Sequence, residues 1–121
     1  MARDAVIGLD IGTTSTKAVL YDLSGRALVT AQQTLNLLTP QPAWAEQDPE
    51  ELWLSVISVL REVVDRAGSD VVIKALSLAS QCGSLLPAAE DGLPVYPIIT
   101  WIDTRATAIV AGWQADGTAE T

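Results

Sequence analysis

The first thirty-four residues constrain the topology more tightly than any other stretch. Residues 5–11 (AVIGLDI) form a short, nearly continuous apolar run, as expected of a strand buried on both faces, and it ends at the small-residue turn GTTST. Residues 17–22 (KAVLYD) read as a second strand, LSGR supplies a turn around Gly25, and residues 26–34 (RALVTAQQT) read as a third. Parallel pairing needs a crossover of about a dozen residues or more, so connections this short make the three strands an antiparallel meander.

The next stretch has a different character. Residues 35–48 (LNLLTPQPAWAEQD) carry two prolines and no period, a connection long enough to suggest a task of its own. Asp48-Pro49-Glu50-Glu51 then predicts a helix start, with Asp48 as N-cap, Pro49 at the first helical position and Glu51 reaching back in a capping box. The helix should run to about Ala67 and stop at Gly68. Leu52, Trp53, Val56, Ile57, Leu60, Val63 and Val64 recur at helical spacing and define the face expected to pack on the sheet, while Arg61 with Asp65 and Glu62 with Arg66 form i,i+4 pairs opposite. Residues 71–80 (VVIKALSLAS) read as a fourth, buried strand reached by a βαβ crossover. A hairpin-like excursion comes next, around the turn at Glu90–Gly92, and Asp103 is placed to cap a last helix with Ala106, Ile109, Val110 and Trp113 on one face. The predicted class is α/β.

Length and composition bound what such a fold can do. The chain has 121 residues, 49% of them hydrophobic and 18% charged, which fits one globular domain. A fold of this size buries only about 65% of its unfolded-chain surface, so it holds one modest core. The formal charge of −8 argues against nucleic acid or an anionic membrane as partner, and any polyanion must be held by a local device. There is no His, which excludes His-based triads, His-ligated zinc and His general bases. The single Cys82 rules out an internal disulfide and suits a reducing, cytoplasmic compartment. Lacking a neighbouring His or Lys in sequence to lower its pKa, Cys82 reads as a buried small hydrophobe. No apolar run approaches the length of a membrane span, and Asp10 interrupts the first one too early for a signal-peptide core.

The chemistry concentrates in Gly8-Leu9-Asp10-Ile11-Gly12-Thr13-Thr14-Ser15-Thr16-Lys17. A carboxylate at the end of a strand, followed at once by Gly and hydroxyl residues, sets a metal-binding oxygen beside many hydrogen-bond donors. Tight turns also expose backbone N–H groups that cradle phosphate oxygens. Asp10 would hold Mg²⁺ through its waters, Thr13 and Thr14 would grip terminal phosphates, and Lys17 would add positive charge. The plainer alternative is that these residues satisfy a β-turn and Lys17 is a solvated charge. A P-loop is excluded, because the Gly-Lys-Ser/Thr ending is missing and the turn leads into a strand rather than a helix.

GLDIGTTSTKAVLYD resembles the first phosphate motif of the superfamily of actin, sugar kinases and heat-shock ATPases, whose ribonuclease H-like domains open with a β-hairpin that cradles ATP phosphates. Three further stretches, residues 44–53 (WAEQDPEELW), 78–84 (LASQCGS) and 97–105 (PIITWIDTR), resemble the FGGY carbohydrate kinases, the family of glycerol, xylulose and gluconate kinases. The resemblance spans nearly the whole chain and implies an incomplete, N-terminal part of a ribonuclease H-like, actin-like ATPase fold occupying residues 1–121. It implies ATP and Mg²⁺ as cofactors and a sugar or polyol as substrate. Asp10, Gly12, Thr13, Thr14, Ser15 and Lys17 then lie on the nucleotide side, with Asp10 on the metal. Gln81, Cys82, Gly83, Ser84, Asp103 and Arg105 face the sugar, where all but Cys82 and Gly83 offer side-chain hydrogen bonds to hydroxyls.

Plainer roles stand beside these: Asp103 as a helix cap, Arg105 as a carboxylate's partner, Trp101 as core and Glu46 as a solvated loop acid. One departure from the family pattern concerns specificity. After the matching Gln, xylulose kinases carry Met-His and glycerol kinases Arg-Glu, whereas this chain has Cys82-Gly83. Kinases resembling this one are several times longer, and their catalytic base is an Asp beyond residue 121, so the 121 residues alone are expected to be inactive. Residues 71–80 would then form an apolar sheet edge that invites self-association. A different class of function, a non-catalytic phosphate-binding or protein-interaction module, is the alternative.

Overall fold

The computed structural model describes residues 2–120. Its centre is a four-stranded mixed sheet in the order β3-β2-β1-β5, made of β1 (Arg3–Ile11), β2 (Ser15–Asp22), β3 (Ala27–Thr34) and β5 (Val71–Ser80). The first three strands form the antiparallel meander, and α1 (Pro49–Ala67) carries the chain over to β5, which runs parallel to β1. A two-residue strand β4 (Glu46–Gln47) lies in the connection before α1 and pairs with β6 (Ile98–Ile99), a short strand after β5. The chain closes with α2 (Thr107–Ala115) and a 3-10 turn at Thr118–Glu120. Among the described residues no helix is long and apolar enough to cross a membrane.

Strand alternation decides which side of the sheet each residue serves. Ala5, Ile7 and Leu9 of β1, Ala18 and Leu20 of β2, and Val29 and Ala31 of β3 form the core with Val56, Val59 and Val63 of α1. The intervening residues of β1, among them Gly8 and Asp10, face away from the helix, so β1 is packed on one face and open on the other rather than buried on both. Strand β5 also departs from expectation. Residues 72–80 are exposed, because α1 lies over β2 and β3 and leaves Leu76 and Leu78 uncovered at the edge.

Helix α1 begins as its sequence dictates, with Asp48 accepting from the Glu50 and Glu51 amides and Pro49 in the first turn. The capping box does not close, since the Glu51 carboxylate accepts instead from the Asn36 amide at 2.6 Å. The packed face is rotated from the expected one. Trp53 and Val64 are exposed, while Ser55 and Val59 are buried. Glu62 and Arg66 form their ion pair at 2.7 Å, but Arg61 and Asp65 do not. A buried hydroxyl pair explains why a Ser belongs on this face. Ser55 Oγ donates to the Leu52 carbonyl, so Thr16 Oγ1 must donate to Ser55 Oγ, at 2.6 Å. Ser55→Ala leaves that donor buried without an acceptor and is expected to cost about 1–3 kcal/mol in urea unfolding. The double variant Thr16→Val, Ser55→Ala, which removes both partners, should recover most of the loss.

The segment after β5 is not a self-contained hairpin. Single bridges join Leu85 to Ile99 and Ala88 to Pro94, while Ile98 and Ile99 pair with β4, which stitches the excursion to the connection before α1. Helix α2 starts at Thr107, its N-cap Ala106 makes no side-chain bond, and Ile109, Val110 and Trp113 are exposed rather than packed. Asp103 therefore does not cap it. The short polar turn at Thr104–Ala106 delays the helix, and the Asp103 carboxylate is taken by other donors.

Candidate functional site

The turn between β1 and β2 is held by Gly12 N–H donating to the Ser15 carbonyl at 3.0 Å, and a Cβ at Gly12 would stand 3.0 Å from that same oxygen. Close backbone approach therefore favours glycine at this position. At the apex the Thr13 and Thr14 amides donate to no described group, the arrangement of free backbone donors that receives anions. Ser15 sits at the start of β2, its hydroxyl accepting from Gln32.

Below the turn, on the sheet face away from α1, Asp10 and Lys17 are register partners across β1 and β2. They line an open cavity of about 310 Å³ with Gly8, Tyr21, Ser77 and Ala79. Neither charge is engaged: no ion pair or hydrogen bond links Asp10 or Lys17 to another described side chain. The cavity is open because Gly8 has no side chain and Ser77 and Ala79 are small. Among the described residues there is no cluster of three or more metal-ligating side chains. A single exposed carboxylate fits Mg²⁺ that keeps most of its water and is shared with a phosphate, rather than a metal caged by protein alone.

The residues that the resemblance sets on the sugar side divide into two groups. In the first, Gln81, at the end of β5, points toward the β1–β2 turn. Its Oε1 accepts from Thr13 Oγ1 at 3.1 Å and from Ser84 Oγ at 3.0 Å, and its Nε2 donates to Gln47 Oε1 at 2.8 Å. Gln47, 1% exposed, donates in turn to the Thr13 carbonyl. Trp101 is largely exposed rather than core, and its indole N–H donates to Thr13 Oγ1 at 2.8 Å while its amide donates to Ser84 Oγ. Cys82 is exposed rather than buried, because the turn that carries it leaves the sheet edge. Gly83 adopts φ +74°, a conformation that favours glycine, and a Cβ there would touch Trp101 Cβ at 3.5 Å.

In the second group, Arg105 is a clamp. Its guanidinium binds Asp103 through Nε and through Nη2 at 2.6 Å, and Glu46 through Nη2 at 2.7 Å, while stacking over Trp44 at 3.7 Å. Glu46 is 5% exposed and also accepts from the Tyr96 hydroxyl, so it is not a solvated loop acid. The other Asp103 contacts are the Ala45 amide at 2.7 Å and the Arg105 amide at 2.9 Å. The Arg105 guanidinium holds the Asp103 carboxyl well below the usual carboxylate range against the opposing effect of burial, and Asp103 raises Arg105 in return. Both side chains are thus committed to the protein. They join the 96–105 segment to residues 43–47, a tie reinforced by the Thr100 hydroxyl on the Ala45 carbonyl.

Gln47, Trp44 and Tyr96 carry no signal of a role in the sequence, although Trp44 and Gln47 lie in the block of residues 44–53 that resembles the family. Nothing in local spacing shows that Gln47 reaches Thr13 or that Tyr96 reaches Glu46, because both contacts cross between separate segments.

The family model for the N-terminal domain of the FGGY family of carbohydrate kinases matches residues 5–121. A glycerol kinase from Alkalilimnicola ehrlichii is 39% identical over 115 residues, a match covering 93% of this chain and 23% of the relative. Among solved structures, gluconate kinase from Lactobacillus acidophilus superposes with a TM-score of 0.91 at 31% identity, covering 98% of this chain and 24% of that one. The ligand-bound xylulose kinase from the same organism gives 0.90 at 32% identity, with 97% and 24% covered. The chain spans about a quarter of the length of the proteins it matches.

Proposed function

The chain belongs to the FGGY family of carbohydrate kinases, and from that premise we propose that it is the N-terminal part of an ATP-dependent kinase acting on a hydroxyl of a sugar or polyol. One observation supports this most directly. An unpaired Asp10 and an unpaired Lys17 lie side by side on the open sheet face, beneath the free Thr13 and Thr14 amides. Phosphoryl transfer asks a protein mainly for positioning and charge stabilisation, and correct positioning alone is worth roughly 7–11 kcal/mol of barrier. Asp10 would hold Mg²⁺, which when bound would supply positive charge against the phosphates. Here Asp10 is suited to hold its water shell, the Thr13 and Thr14 amides to donate to phosphate oxygens, and Lys17 to add a positive charge. Ser15 closes the turn. On this reading the catalytic base and the adenine site lie outside residues 1–121, and the protein works in the cytoplasm without nucleic acid or membrane as partner.

The sugar-side positions support a substrate with more bulk at the 82–83 turn than one met there by large side chains, since Cys82 is small and Gly83 has none. Ser84 and Gln81 keep little free hydrogen-bonding capacity, and Asp103 and Arg105 are used by each other and by Glu46, so their contribution to a sugar is to hold Trp101 and its segment in place. The test is ATP-dependent phosphorylation by the complete kinase across glycerol, xylulose, gluconate and related polyols. Turnover with at least one of them is the expected result, and none with any would overturn the reading. The 121-residue chain alone is expected to give no turnover. Its open β5 edge supports self-association, seen as a scattering mass that rises with concentration; a monomer throughout the micromolar range would contradict it.

A further inference from the structure

We infer that Gln47 and Gln81 are positioning residues that lock the phosphate turn to the sugar-facing segment, so that the two halves of the site respond as one unit. The inference rests on the kinase reading above, but its basis is a closed hydrogen-bond ring whose direction the chemistry fixes. Two members of the ring have no choice of role. The Thr13 carbonyl can only accept, so Gln47 must present its Nε2 there and its Oε1 to Gln81. Gln81 must then donate with Nε2 and turn its Oε1 toward Thr13 and Ser84. From the other side, the Trp101 indole can only donate, so Thr13 Oγ1 accepts from it and sends its own proton to Gln81 Oε1. The Trp101 amide likewise makes Ser84 Oγ an acceptor, which directs the Ser84 proton to the same Gln81 oxygen.

Every bond in the ring therefore runs in one sense: reversing the Gln47 amide would break two bonds at once, and reversing that of Gln81 would set its oxygen against Gln47 Oε1. The Thr13 hydroxyl has spent its proton inside the protein, so it positions the turn, and the turn meets phosphate through the Thr13 and Thr14 amides and the Thr14 hydroxyl. Gln81, at the end of the strand beside the sugar turn, governs the nucleotide side. Gln47, buried and bonded to both Thr13 and Gln81, governs both. A substrate that shifts Trp101 or Ser84 pulls on Thr13 through bonds of 2.8 to 3.1 Å.

The experiment compares ATP and polyol kinetics of the complete kinase for Gln81→Met, Gln47→Met, Thr13→Val and Thr13→Ser. The two Met variants keep side-chain volume while losing the ring. Each is expected to raise the KM for ATP by about tenfold, the effect of losing one or two net hydrogen bonds. Thr13→Val should match them and Thr13→Ser, which restores the hydroxyl, should stay within about twofold of the wild type. The Trp101 indole N–H resonance, recorded for each variant, separates a loosened ring, in which only that signal and its neighbours move, from a chain that fails to fold. An ATP KM within twofold of wild type for both Met variants, with only the polyol KM changed, overturns the inference and leaves Gln81 a sugar contact. Equal behaviour of Thr13→Val and Thr13→Ser also overturns it. If the wild-type kinase phosphorylates no polyol, the kinase reading fails by itself. The ring is then decided by titrating the 121-residue chain with magnesium pyrophosphate. Shifts at the Thr13 and Thr14 amides accompanied by the Trp101 indole support it, and any other pattern overturns it.

Discussion

Replacing Asp10 by Asn is expected to lower kcat/KM of the complete kinase by about a hundredfold or more, the scale at which removing one preorganised charge contact acts on a developing negative charge. The same change should leave the melting temperature where it was. Asp10 is exposed at the end of β1 and pairs with no described group, so nothing in the fold depends on its charge. Asn keeps its shape and loses only the anion proposed to hold the hydrated cation. The loss should be accompanied by a raised Mg²⁺ requirement in the assay, since the metal–nucleotide complex then has no carboxylate to meet. Activity within twofold of wild type would remove Asp10 from the metal side of the site. A lowered melting temperature would instead assign it to the fold.

The opposite pattern is expected at Arg105. Arg105→Met keeps an unbranched stem over the Trp44 ring but removes the cation that separates Glu46 from Asp103, whose side chains are 6% and 1% exposed. Two carboxylates would then face one another out of water, and breaking a buried pair from one side is among the costliest single changes. The expected result is a melting temperature lowered by on the order of 10 °C, with faster hydrogen exchange at the Ala45 amide that Asp103 holds. Arg105→Lys should recover only part of the loss, because an ammonium cannot reproduce the planar fork that binds both acids.

Acid provides an independent check. The Asp103 carboxyl titrates below its unfolded value, so the stability it contributes is complete above about pH 4 and drains away as pH falls toward the folded value. Arg105→Met removes the largest cause of that shift and leaves two buried carboxylates face to face, so the contribution of this pair should change sign and stability there should rise as acid protonates one of them. The slope that remains belongs to Asp22, held at about 2 mainly by the Ser24 hydroxyl, and to Asp70 and Asp116, lowered by Arg3 and by Thr118; none of the three touches Arg105. Identical acid profiles for the two proteins would place the tie between the 96–105 segment and residues 43–47 elsewhere.

The elements were largely legible in the sequence because they are local. Short turns impose the meander, Asp48-Pro49 starts α1, and the crossover length makes β5 parallel to β1. The face of α1 was less legible, since Trp53 and Val64 share helical spacing with true core residues and only the sheet's position excludes them. The last helix was misplaced at its start for a related reason. Asp103 has the chemistry of a cap, yet its carboxylate is claimed by an arginine two residues on and by an amide in another segment.

The same division holds at the site. By itself the sequence determined that an acidic chain without histidine must bind any phosphate locally, and it pointed to residues 10–17 for the task. Strand alternation alone puts Asp10 and Lys17 on one face, because a period of two leaves no other placement once the register is set. What only the tertiary structure decided is which polar groups remain free. Thr13, Gln47, Gln81, Ser84 and Trp101 come from four separate stretches, and each could have faced a ligand. The long-range packing of β4 against β6 brings them within hydrogen-bond distance of one another. There the buried Gln47 must find partners, and the three candidate ligand contacts Thr13, Gln81 and Ser84 join it and Trp101 in one internal ring.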